Sequence, residues 1–262
     1  MVRPQRRAFG SKAEAMISLG TWDLILLAVV SFQATLLAYL PHPKWKALIM
    51  TLPIPFTLAS LAVGAPVNVT HVVALNLLLA YTHGVRLLHD HARLHIIPAI
   101  VISAAGYCLA GALLRPILPQ SSAAFWASCF LTLLIAVAVH AVYHRHEEPG
   151  HRSHLPFWVK FPLVAGVILI LILMKSMLQG FMTMFPMVGV VASYEARYSL
   201  GSVCIALPDF MFAMVPMLAV VRLVQPQMGL AAALGVGWVV FIPMLAPLIR
   251  DFWGPKRPEV QG

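Results

Sequence analysis

The chain has 262 residues, of which 60% are hydrophobic and 10% charged, and its 18 Lys and Arg against 9 Asp and Glu give a formal net charge of +9. Soluble domains carry about 25% charged and roughly 45–50% apolar residues, which excludes an ordinary soluble enzyme, a nucleic-acid binder and a disordered chain. The class that fits is an all-α polytopic integral membrane protein.

A basic tail, residues 1–21, holds Arg3, Arg6, Arg7 and Lys12. The apolar run behind it has no small-residue cleavage pattern and reads as an uncleaved first membrane helix. A crossing takes about 20 apolar residues. The runs that qualify are 22–40, 46–63, 67–88, 96–114, 123–143, 157–175, 180–194, 200–224 and 228–249, so eight or nine membrane segments are expected. Segment 46–63 contains Pro53 and Pro55, and the short segment 180–194 contains Gly180, Pro186 and Gly189. These two read as broken or re-entrant helices, a backbone tolerated at bilayer depth only inside protein or against a wet cavity.

Trp22, Trp45, Trp126, Tyr143, Trp158 and Trp253 fall near segment ends, where interfacial aromatics belong. Lys and Arg between the runs suit anionic lipid headgroups. The basic tail favours a cytoplasmic N-terminus and the loop bases favour the opposite sense, so orientation stays open. The partner implied is the bilayer of a bacterial inner membrane, with no role for nucleic acid. Cys108, Cys129 and Cys204 lie apart in apolar runs and form no pair motif.

The chain also repeats itself. Pro53, Ala59 and Ser60 recur as Pro186, Ala192 and Ser193 at an offset of 133, and at that offset Asn76 meets Asp209. Val85-Arg86-Leu87 recurs as Val221-Arg222-Leu223, and Gly106-Tyr107 faces Gly237-Trp238. The organisation read from this is a first membrane repeat (22–118), a linking helix with a His-rich loop (119–156), a second repeat (157–250) and a C-terminal tail (251–262). Four segments per half and one linking segment make the halves inverted. Inverted repeats with paired broken helices are a carrier design with a site near the midplane.

Leu178-Gln179-Gly180, Phe185-Pro186, Ala192-Ser193-Tyr194-Glu195-Ala196-Arg197 and Leu200 resemble the core of the GlpM-like small membrane proteins. The first half keeps Pro53 but has Ala62 and Gly64 where Glu195 and Arg197 would align. The resemblance implies an integral membrane unit of about four helices, here duplicated, from a family associated with exopolysaccharide production. It implies no catalytic residue.

Asp209 is the sharpest single residue. An ionised carboxylate in an apolar run costs ~2.5–3.5 kcal/mol even on insertion scales, so Asp209 is a candidate proton or substrate site, with Asn76 its polar counterpart. The bland reading is a neutral Asp bonded between helices. Glu195 and Arg197 read as a pair at a cavity mouth, or as an interfacial pair that ends a helix. Pro53, Pro186 and Gly189 would shape the path. Lys175 and Arg222 snorkel, and Gln33 and Thr35 bond between helices.

The histidines supply a rival. His91/His95 and His140/His144 are spaced i, i+4 and so share helix faces, and His151 and His154 follow. This spacing is how membrane di-iron enzymes set out ligands, although no His-His doublet occurs. Iron would be the cofactor in that reading alone. The chain has no P-loop, Rossmann glycine pattern, zinc-protease motif or nucleophile elbow. The preferred function is a carrier or permease for a small solute or lipid-linked envelope precursor, proton-coupled, with no catalytic residue or cofactor, and a candidate homodimer. The remaining alternative is a non-transporting accessory subunit of envelope polysaccharide synthesis.

Overall fold

A computed structural model describes residues 20–40, 45, 49–142, 156–173, 178 and 180–253. The described residues form helices and no strand. In chain order these are α1 (Thr21–Tyr39), α2 (Ile54–Val63), α3 (Val69–Arg86), α4 (Ile96–Leu114), α5 (Ser122–Val142), α6 (Phe157–Leu173), α7 (Gly180–Thr183), α8 (Met187–Glu195) and α9 (Leu200–Trp253). A wider π turn, Leu87–His91, extends α3. Five helices are long and apolar enough to cross a membrane. The outer surface is correspondingly greasy: Leu109, Phe130, Val137, Val239 and Ile242 are exposed, a placement that favours lipid over water.

The last of the five is long enough to cross twice. Its apolar part, Leu200–Ala246, has 47 residues and would measure roughly 70 Å at ~1.5 Å per residue, against a hydrocarbon core of about 30 Å. It breaks at Gly229, where φ is 77° and ψ is 168°, a conformation open only to glycine. Beyond the break the chain folds back on itself. A Cβ at Gly237 would lie 2.6 Å from a Val221 methyl, so the missing side chain lets the two arms touch. Sequence reading placed the boundary at 224–228, beside Pro226, but the helix runs on through that proline.

Both proline-bearing segments are broken helices. A helical turn at 49–51 ends before Pro53, which caps α2. α7 ends before Pro186, which caps α8. Proline has no N–H and so strands the carbonyl four residues earlier. For Pro53 that is the Ile49 carbonyl, and Gln33 Nε2 of α1 donates to it at 2.9 Å. At the second break Phe185 N–H turns to Met182 O, 3.2 Å, and Tyr107 Oη of α4 donates to the Phe181 carbonyl, 2.8 Å. Thr57 Oγ1 bonds back to the Pro53 carbonyl and accepts from Trp238 Nε1 of α9 at 2.9 Å. Each broken helix is thus held by an aromatic donor from a helix distant in sequence, α2 by Trp238 of α9 and α7 by Tyr107 of α4.

α1 packs on α2, α6 and α8; α3 packs on α4, α5 and α9; α5 also lies along α9. Ala59, Ser60, Ala192 and Ser193, the recurring residues of the two broken helices, are all buried.

Candidate functional site

Asp209 lies nine residues into α9, roughly 14 Å along its axis at ~1.5 Å per residue. Its side chain is 2% exposed, and its Oδ1 sits 3.1 Å from Nδ1 of His140, whose side chain is 49% exposed. A sealed carboxylate therefore touches an imidazole that reaches the surface of the helix layer. Phe212 packs edge-on against that ring at 6.1 Å.

Asn76, matched with Asp209 at the sequence offset of 133, donates Nδ2 to Thr132 Oγ1 at 2.7 Å. Thr132 and His140 both belong to the linking helix α5, eight residues apart and about 12 Å along its axis. Buried Ala136 lies midway between them. The two polar positions matched in sequence thus lean on one helix, Asn76 at its midpoint through Thr132 and Asp209 near its C-terminal end through His140.

Glu195 and Arg197, read from sequence as a pair, part company. Glu195 closes α8 and turns inward, where its Oε1 meets Nζ of Lys160 at 2.5 Å, with both side chains at most 4% exposed. The second carboxylate oxygen, Oε2, is buried and has no hydrogen-bond partner among the described residues. The Lys160 ammonium also lies over the Tyr39 ring, 5.4 Å from its centroid. Arg197 turns the other way, between the rings of Tyr194 and Tyr198 at 4.9 and 4.8 Å, and donates to the Tyr194 carbonyl.

Lys160 escaped the sequence reading because it sits one turn into an apolar run. The available signal was its being the only charge between residues 157 and 173. Gly189 packs its bare Cα side on Pro186, where a Cβ would come within 2.8 Å, and beside Tyr81.

His71 also went unremarked. It is buried at the start of α3, with Nδ1 3.2 Å from the Asn68 N–H and 3.1 Å from Asn68 Oδ1. Its Nε2 has no partner among the described residues. Phe56 of α2 and Gly180 of α7 close over it, and a Cβ at Gly180 would strike Thr70 Oγ1 at 2.0 Å. Arg222 and Gln225 do not reach outward. Arg222 donates to the Val67 carbonyl at 3.0 Å, and Gln225 pairs with both the N–H and the carbonyl of Val67.

Of the histidines weighed as iron ligands, His91 ends the π turn, His95 caps α4 and His140 stands beside Asp209. His144, His151 and His154 lie outside the described residues. Among the described residues no three His, Cys, Asp or Glu side chains gather into a metal-holding group. Comparison with family models, with curated proteins and with solved structures finds no match to this chain.

Proposed function

We propose that the protein is a proton-coupled membrane carrier of two inverted halves, moving a small solute or a lipid-linked envelope precursor. One observation carries the reading: a carboxylate buried at span depth, Asp209, in contact with the half-exposed imidazole of His140. Buried ionisable groups inside membrane segments are costly, and they mark substrate and ion pathways and proton relays. Inversion is supported by the reciprocal hold of Tyr107 and Trp238 on the opposite broken helices. Broken helices in matching places are the usual frame of a carrier site.

The test is reconstitution into vesicles containing a pH dye, with a panel of external amines, amino acids, sugars and organic anions. One solute class is expected to drive luminal pH change with wild type, and Asp209→Asn is expected to abolish it at unchanged expression and monodispersity. Wild-type-like coupling in Asp209→Asn removes the proton role, and silence across the panel removes the small-solute carrier.

A second reading has its own support. The carbonyls freed by Pro53 and at the α7–α8 break are closed by Gln33 and Tyr107 rather than left to water, which suits a sealed accessory subunit of envelope polysaccharide synthesis. That reading predicts co-purification with a synthase from native membranes and no solute response in vesicles.

A further inference from the structure

Lys160 and Glu195 are each at the wrong end of a helix. Lys160 sits in the first turn of α6, where the macrodipole is positive, and Glu195 is the last residue of α8, where it is negative. Neither charge serves its own helix, and both are withdrawn from solvent. What holds the ammonium is a carboxylate oxygen on one side and an aromatic face, Tyr39, on another. That combination is how proteins recognise amine cations. The carboxylate still has an oxygen, Oε2, buried and without a partner among the described residues, so its capacity for ammonium donors is not used up.

We infer that Glu195 and Tyr39 form an ammonium-binding site that the protein's own Lys160 occupies in the resting state, and that a primary amine cation displaces Lys160 from it. The inference deepens the carrier reading, on which it rests, by naming the substrate class as primary ammonium. The tethered lysine explains how a buried carboxylate is kept neutralised when no substrate is present. An unpaired charge there would be strongly destabilising. The lysine also sets a threshold, because an incoming amine must compete with an intramolecular rival at high effective concentration. The ammonium can belong to a free amine or to an ethanolamine lipid headgroup.

In wild-type protein, Lys160 acetylation by an amine-reactive reagent is followed by mass spectrometry, with the other lysines of the chain as internal reference. Ethylammonium chloride is expected to raise modification of Lys160 several-fold at constant reference labelling, while sodium chloride at equal ionic strength leaves it unchanged. Nanodiscs of phosphatidylethanolamine against phosphatidylcholine provide the lipid arm. A rise in the former without added amine assigns the site to the headgroup, and a rise only with ethylammonium assigns it to a free amine. No rise in either arm overturns the proposal.

The second measurement is chemical rescue. Lys160→Ala is expected to lower the apparent Tm and ethylammonium to restore part of it saturably, whereas Lys160→Ala with Glu195→Gln does not respond. Equal response of the two overturns the proposal, and failure of Lys160→Ala to fold leaves the wild-type labelling as the deciding result. If labelling responds to amine but vesicles show no amine-driven pH change, the site stands and the carrier falls. If vesicles respond to a solute class other than amines and labelling does not, the carrier stands and this site falls.

Discussion

At the scale of single residues, most polar side chains inside this bundle are answered by a specific partner, and the answer sets what each substitution does. Lys160→Ala strands the Glu195 carboxylate, and breaking such a buried pair costs about 3–5 kcal/mol. The charge-free combination Lys160→Met with Glu195→Gln is expected to recover much of that loss, read as Tm in detergent. Recovery no better than the single variant would mean that the two side chains act separately. Gln33→Leu removes the donor that replaces the missing N–H of Pro53, which leaves a buried carbonyl at a cost of about 1–3 kcal/mol. Adding Pro53→Ala, which supplies an N–H near the same carbonyl, is expected to soften that loss. Of these partners the sequence showed only the polar half. Asp209 stood out as costly in an apolar run, Gln33 read as a bond between helices and Glu195 as half of a pair with Arg197, but Lys160 is 35 residues from Glu195 and His140 is 69 from Asp209, and composition carries no sign of which distant side chain will arrive.

At the scale of elements, the effects of proline and glycine are local, and so they were legible in advance. Pro53 and Pro186 break their helices where the residues themselves require it. The turn between the last two segments was also anticipated, but was placed at Pro226 in place of Gly229. Proline interrupts one hydrogen bond, which a long buried helix can forgo, whereas only Gly229 adopts a backbone that no helix can contain. Gly229→Ala is therefore expected to destabilise by about 1–3 kcal/mol through backbone strain, while Pro226→Ala changes little. Thermal unfolding of both in the same detergent checks the order, and a larger loss at Pro226 would refute it.

At the scale of the whole molecule, an offset of 133 in the sequence matches Asn76 with Asp209 and Pro53 with Pro186. The structure adds what pairwise matching could not: the partners on α5 and the crossing bonds of Tyr107 and Trp238. Those crossing bonds join residues 74 and 181 positions apart, a long-range outcome with no local signature. Tyr107→Phe and Trp238→Phe are each expected to loosen the broken helix that the side chain holds, by about 1 kcal/mol for a lost hydrogen bond. Amide exchange read at residues 180–183 for the first and 54–58 for the second would show it. Loosening confined to the mutated helix would argue against the crossing bonds.

The single-residue corner at Gly229 has a practical corollary. Because two apolar arms meet at a single residue and pack at once through Gly237 and Val221, this corner offers no slack for a protease, an epitope tag or an inserted reporter. Engineering for purification or imaging should leave it intact.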